Sequence, residues 1–252
     1  MSDRPAALTI AGSDSSGGAG IQADLRTFEA FGVRGLSAVT AVTAQTPLAV
    51  TTVAEVDAEL VAAQISAAVR EAPLGSVKTG MMPGPRIVEA AARCISEAAI
   101  PNLVVDPVIF AGGGRRLASE EAVRAMVESL FPLAELITPN LSEAAALTGL
   151  TVNSPDSMRR AAAELRDMGP TRVVVTGGHL EGEPVDVYFD GTCYTEIAGV
   201  RASGTMHGTG CAFSAGIAAH LAMGFPAEAA VRQSKIFVES LFRTGSALHP
   251  MR

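Results

Sequence analysis

Apolar positions in this chain follow two alternating periods. Short runs rich in Val, Ile, Leu and Thr at 7–11, 37–44, 50–56, around Val77, and at 103–106, 136–138 and 172–176 read as strands. Residues 185–189 and 192–197 read as a hairpin around Asp190-Gly191. Between the runs the period lengthens. Leu25, Phe28 and Phe31 keep helical spacing from Ile21 until Gly32 closes the helix. Further helices are predicted at 57–70, from Pro83-Gly84-Pro85 to about 98, from Ser119, at 141–147, at 154–169, at 211–223 and at 226–244. Residues 12–20 are so rich in Gly and Ser that they predict a loop.

Strand–helix alternation on this scale implies an α/β fold: a doubly wound, mostly parallel central sheet with helices on both faces, a three-layer αβα sandwich. No linker, charge block or repeat divides the chain, so residues 1–252 are expected to form a single domain. Ligands of such sheets bind beyond the carboxyl ends of the strands. Polar or glycine-rich residues stand at several of those ends: Gly12-Ser13-Asp14, Gln45, Thr79-Gly80, Asp106, Asn140 and Thr176-Gly177-Gly178. They are expected to converge on one rim.

Composition narrows the function. The chain is 48% hydrophobic with 18% charged residues, which marks a folded protein. Its net charge of −7, without a Lys/Arg cluster, excludes a nucleic-acid footprint. No apolar run is long enough to span a bilayer, and the one at 6–11 is too short for a signal sequence, so a cytoplasmic protein without membrane contact is expected. Cys94, Cys193 and Cys211 are far apart and odd in number, which argues against a disulfide framework or a zinc site. An acidic protein that handles phosphates must use local backbone dipoles and metal ions.

The chemistry concentrates at His207-Gly208-Thr209-Gly210-Cys211, a glycine-rich turn running into a small-residue helix. Free backbone N–H groups at the positive end of a helix hold anions, and a thiol in the first turn is expected to have a lowered pKa. The structural alternative is a tight turn capping a buried helix, with Cys211 a small buried hydrophobe.

The segment Ala7-Leu8-Thr9-Ile10-Ala11-Gly12-Ser13-Asp14-Ser15-Ser16-Gly17-Gly18-Ala19-Gly20-Ile21-Gln22-Ala23-Asp24 closely resembles the N-terminus of hydroxymethylpyrimidine and phosphomethylpyrimidine kinases, ribokinase-like enzymes of thiamine biosynthesis. Val77-Lys78-Thr79-Gly80-Met81, Val105-Asp106-Pro107-Val108, Ile137-Thr138-Pro139-Asn140-Leu141-Ser142-Glu143, Gly177-Gly178-His179 and the His207–Cys211 turn extend the likeness over nearly the whole chain. The resemblance implies phosphoryl transfer from ATP with Mg2+ to the hydroxymethyl group of 4-amino-5-hydroxymethyl-2-methylpyrimidine, or to its monophosphate. It implies Gly208, Thr209 and Gly210 as the anion hole and Cys211 as the general base. It also implies Asp106, Asn140 and Glu143 around Mg2+ and its waters. Asn140 and Glu143 also have the spacing of a helix capping box, and both roles can hold together. Gly12, Ala19, Asp24, Gln45, Met81 and Val108 match the acceptor pocket, where the Gln45 amide can both donate and accept. Lys78, Thr176 and Gly178 fall on the ATP side; Lys78 either neutralises a phosphate or pairs with a carboxylate. Relatives are commonly homodimers, and a homodimer is expected here.

The chain departs from the family pattern at three places. Thr176 stands where relatives often have Lys, Ala111-Gly112-Gly113-Gly114 where they read Ala-Lys-Ser-Gly, and Ser203-Gly204-Thr205-Met206 where Lys and Asn are common. Arg115 and Arg116 are candidates to replace that charge. The alternatives are a pyridoxal kinase, whose substrate is a similarly shaped hydroxymethyl heterocycle, and a catalytically weak binding protein.

Overall fold

Nine strands and eight helices follow one another in a computed structural model that describes residues 4–178, 180, 183–200 and 206–244. The first half comprises β1 (Ala6–Asp14), α1 (Gly20–Ala30), β2 (Arg34–Gln45), β3 (Val50–Glu55), α2 (Ala58–Glu71), β4 (Ser76–Thr79), α3 (Pro85–Glu97) and β5 (Leu103–Val105). The second comprises α4 (Glu120–Ala125), β6 (Ala134–Ile137), α5 (Leu141–Thr148), α6 (Pro155–Asp167), β7 (Arg172–Val175), β8 (Val185–Phe189), β9 (Tyr194–Ala198), α7 (Thr209–Ala222) and α8 (Ala227–Thr244). His179 and Ser203-Gly204-Thr205 lie outside the described residues.

The strands form one sheet in the order β3-β2-β1-β4-β5-β6-β7-β8-β9. The run from β2 to β7 is parallel, while β3, β8 and β9 join antiparallel at the two edges. Side chains alternate across the pleat and so build two cores. Leu8, Ile10, Val77, Leu103, Val105 and Val173 pack with apolar residues of α2, α3, α4 and α6. Ala7, Val104, Leu136 and Val174 pack on the other side with Phe28 of α1 and the apolar residues of α7 and α8. Every residue of α7 from Ala212 to Leu221 is buried, as a helix between a sheet and two other helices must be.

Helices start where the chain supplies a cap. Asp57, Ser119, Asn140 and Ser154 each accept a backbone N–H from the first turn that follows. Asn140–Glu143 and Ser154–Ser157 are reciprocal capping boxes. The helix α7 has no side-chain cap.

Two local expectations change. The stretch 12–14 is strand, not loop, because β1 shifts register between Ala11 and Ser13 and goes on pairing, Ser13 with Val42 and Asp14 with Thr43. The helix from Ser119 also passes through a π-helical turn at Met126–Leu130 and a 3-10 turn at Phe131–Leu133 before β6, which no apolar period signals.

Candidate active site

The parallel strand ends carry Asp14, Thr79, Asp106, Asn140 and Thr176 to one rim, and the first turn of α7 lies over it. Gly208 opens α7 in the left-handed region at φ 84°, and a Cβ there would stand 1.9 Å from the carbonyl oxygen of Gly18. Only glycine tolerates both the conformation and this close approach of the two loops. No side chain caps α7, and its first bond within the helix runs from Ala212 N–H to Gly208 O at 2.9 Å, so the N–H groups of Thr209, Gly210 and Cys211 lie ahead of the helical ladder. Uncapped donors at a helix N-terminus favour an anion.

A buried charged cluster lies beneath this turn. Thr9 and Lys78 are register partners on β1 and β4 and share the face toward α7. Lys78 is fully buried, with its ammonium 2.9 and 3.0 Å from the two oxygens of Asp24 on α1 and 3.7 Å from Asp106. The Thr9 hydroxyl donates to Asp24 at 2.6 Å. Burial opposes the Lys78 charge, but Asp24, Cys211 and Asp106 outweigh it and hold its pKa above that of an ordinary lysine. Asp24 is fully buried and its carboxylate is committed to Lys78 and Thr9. Of the two readings of Lys78, the pairing with carboxylates is the one this geometry realises.

Asp106 follows β5 on the same face and accepts from the Ser214 hydroxyl of α7 at 3.0 Å. The same hydroxyl lies 3.1 Å from the carbonyl oxygens of Gly210 and Cys211, which compete with Asp106 for its one proton, so Ser214 stands between the first turn of α7 and Asp106. Cys211 runs against expectation. Burial, then the Asp106 and Asp24 charges, push its thiol up to about 12, against the pull of Lys78 and the Gly20 N–H. The thiol keeps its proton in this state, because two carboxylates and desolvation outweigh one cation and the helix end.

Glu143 is buried at the start of α5. Its Oε2 accepts the Asn140 N–H at 3.0 Å and its Oε1 the Ile109 N–H at 3.3 Å, while Asn140 Oδ1 accepts the Glu143 N–H at 3.0 Å. The capping reading of this pair is realised, and it occupies the Asn140 oxygen. Burial and repulsion from Asp106 push Glu143 up to about 8. Among the described residues no three acidic, His or Cys side chains gather as a cation cage. Two buried carboxylates with surplus negative charge fit a hydrated divalent ion, which keeps most of its water. Thr138 points to the same face: its N–H bonds Val105 O, and its buried hydroxyl has no partner.

On the acceptor side, a Cβ on Gly12 would stand 3.2 Å from the sulfur of Met81, so the bare backbone lies flat against that side chain. Thr40 fixes Met81 by donating to its carbonyl oxygen at 2.6 Å. Val108 is half-buried just past Asp106. Ala19 caps α1 and donates its N–H to Asp14. Gln45 reaches His207 and Thr43. A cleft of about 100 Å³ beside it is lined by Gln45, Leu48, Gly112, Arg115 and His207. Arg115 donates to the carbonyl oxygens of Val50 and Thr51, and Arg116 to Ala118 O while lying over the Phe110 ring. Both arginines thus hold loops together through one nitrogen each. On the nucleotide side Thr176 bridges to Asn140 beyond β7, and Asp186 accepts from Gly177 N–H at 2.9 Å and from Lys235 at 2.7 Å, anchoring the turn that contains Gly178.

The sequence reading places Asp14 and His207 on the rim without giving either a role, and it does not mention Ser214. Asp14 is legible in retrospect: an Asp before Ser-Ser-Gly makes an Asx turn, here Ser16 N–H to Asp14 Oδ1 at 2.8 Å. Ser214 sits among small apolar residues and gives no such signal.

Comparison with known proteins shows the family and the fold. The phosphomethylpyrimidine kinase family model matches residues 14–251. The hydroxymethylpyrimidine/phosphomethylpyrimidine kinase of Haemophilus influenzae is 40% identical over all of this chain and 94% of its own length. The thiamine biosynthesis bifunctional protein ThiED of Geobacter sulfurreducens is 42% identical over 97% of this chain, which spans only half of that protein. The solved phosphomethylpyrimidine kinase of Clostridium difficile superposes with a TM-score of 0.84 at 38% identity, covering 94% of this chain and 99% of that one. The pyridoxal kinase of Staphylococcus aureus in complex with AMP-PCP superposes with a TM-score of 0.89 at 33% identity, covering 96% and 89%. Among the described residues no helix is long and apolar enough to cross a membrane.

Proposed function

Because the chain belongs to the phosphomethylpyrimidine kinase family, we propose a reaction and a division of labour for its rim. The protein is a phosphotransferase of thiamine biosynthesis that uses ATP to phosphorylate the hydroxymethyl group of 4-amino-5-hydroxymethyl-2-methylpyrimidine, its monophosphate, or both. The observation that carries the site assignment is the start of α7 without a side-chain cap, with the N–H groups of Thr209, Gly210 and Cys211 ahead of the helical ladder and above the carboxylates of the strand ends.

In this reading the Gly208-Thr209-Gly210 turn receives the moving phosphoryl group, because its donors are in place before charge develops. Cys211 stands where the acceptor hydroxyl's proton must go. Its thiol first releases its own proton to solvent, which compensation of the Asp106 charge favours because Lys78 then dominates its surroundings, and the thiolate is the acceptor. Asp106 and Glu143 are the groups that would hold Mg2+ through water, and when bound the ion supplies charge neutralisation at the phosphates and at these carboxylates. Gly12, Met81 and Val108 enclose the acceptor ring, and Gln45 reads its edge. Thr176 and Gly178 border the nucleotide. The protein works in the cytoplasm as a homodimer.

The test is to incubate the purified protein with Mg-ATP and, separately, hydroxymethylpyrimidine, its monophosphate and pyridoxal, and to follow the phosphorylated products. Product from either pyrimidine is expected, and no product from any acceptor despite measurable binding would sink the kinase reading. Cys211→Ala in the same assay should lose most turnover; unchanged turnover removes the base role. The likeness to a pyridoxal kinase favours pyridoxal as the second acceptor, and the third reaction decides it.

A further inference from the structure

Side chains from three separate segments meet at one imidazole nitrogen. His207 Nε2 lies 3.0 Å from Asp14 Oδ2 and 2.9 Å from the end of the Gln45 amide. One ring nitrogen either donates or accepts; it cannot do both. Asp14 decides which. Its carboxylate is buried and accepts from Ser16, Gly18 and Ala19. Those bonds, with the one to His207, hold its pKa below the usual range despite burial. An ionised carboxylate only accepts, so Nε2 carries the proton.

Gln45 must then turn its carbonyl oxygen to His207, where the single Nε2–H is shared between it and the Asp14 carboxylate, because an amide N–H facing a ring N–H would be a donor against a donor. The rest of the network agrees. Thr43 Oγ1 lies 3.0 Å from the carbonyl oxygen of Ser13, which can only accept, and 3.2 Å from the other end of the Gln45 amide. A hydroxyl has one proton, and Ser13 takes it. Thr43 therefore accepts from Gln45, whose NH2 must be the end that faces it. One orientation of one amide satisfies both partners.

We propose that His207, oriented by Asp14, is a positioning residue that sets the amide orientation of Gln45 and thereby the order of donor and acceptor it presents to the acceptor heterocycle. The inference rests on the kinase reading for its acceptor. With His207 and Thr43 each taking one valence, Gln45 retains one oxygen lone pair and one N–H in a defined order. A ring nitrogen beside an exocyclic amino group pairs with that order one way round only, which sends its hydroxymethyl arm in a single direction.

The first test needs no substrate. Nitrogen-15 NMR of the histidine-labelled free protein at pH 8 should show His207 as the Nε2–H tautomer; an Nδ1–H tautomer with bare Nε2 overturns the proposal. In kinetics, His207→Leu should raise KM for hydroxymethylpyrimidine about tenfold, the size of one lost hydrogen bond, with kcat nearly held. His207→Gln, which keeps an N–H at similar reach, should recover most of that loss. An unchanged KM in His207→Leu, or no recovery in His207→Gln, overturns it. If the wild-type chain turns over no acceptor, the kinase reading fails while the tautomer still decides this inference, as it does if the leucine variant does not fold.

Discussion

Lys78 and Asp24 form an ion pair with both side chains fully buried, 2.9 Å apart, directly under the first turn of α7. Bringing two charges into the interior costs most of what their attraction returns, but leaving one there alone costs far more. Lys78→Met or Asp24→Leu alone should therefore destabilise the protein by about 3–5 kcal/mol. The double variant should recover most of that loss. Urea unfolding of the three variants checks it, and additive losses in the double variant would show that the two groups do not act as a pair.

Cys211 should be slow to alkylate in the free protein. With its thiol pushed up to about 12, its reactivity toward iodoacetamide should stay low from pH 7 to pH 9 and climb only above that range. Peptide mass spectrometry resolves it from exposed Cys193. Asp106→Asn removes a negative neighbour and should move the Cys211 curve to lower pH.

Glu143 should make the unliganded protein less stable as pH rises. Its folded pKa of about 8 exceeds the ordinary value of 4.5, so the folded state binds more protons between those values. The contribution is full below pH 4.5 and is lost as pH climbs through about 8. Glu143→Gln should flatten that segment of the stability–pH curve measured by denaturant titration.

Gly208→Ala should cost turnover and stability together. A left-handed alanine costs about 1–2 kcal/mol, and its methyl would also press on the Gly18 carbonyl, so the α7 turn must shift. A loss of kcat of at least about tenfold with an intact circular dichroism spectrum is expected, as each 1.4 kcal/mol of lost transition-state binding is one decade.

Thr138→Val should separate stability from function. Its hydroxyl is buried without a partner, so an apolar isostere is expected to stabilise the free protein by up to about 1 kcal/mol. The same change should lower kcat/KM if the hydroxyl serves bound phosphate or its metal. Equal or greater kcat/KM would remove Thr138 from the site.

Much of the architecture is legible along the chain because local physics writes it there. The run at 172–176 matches β7 to within one residue and that at 185–189 matches β8, and the caps Ser119, Asn140 and Ser154 start helices where their side chains reach the next turn. Gly208-Thr209-Gly210 announces an uncapped helix start for the same reason. The Asp190-Gly191 hairpin announces that β9 pairs antiparallel with β8, whereas the antiparallel pairing of β3 with β2 and of β8 with β7 has no such signal, since pairing direction is a property of neighbours.

The sequence by itself determined the order of elements, the two-faced cores and the rim on which the site stands, since strand period, helix period and caps act over a few residues. Only the tertiary structure decided what the charged groups do. Asp24 and Lys78 lie 54 positions apart, and their pairing depends on α1 packing over the face of β4 on which Lys78 stands. Cys211 illustrates the same division. The chain places a thiol at a helix start, where the local field favours the thiolate. Folding then brings Asp106 and Asp24 close and shuts out water, and in that low-dielectric setting the long-range charges win.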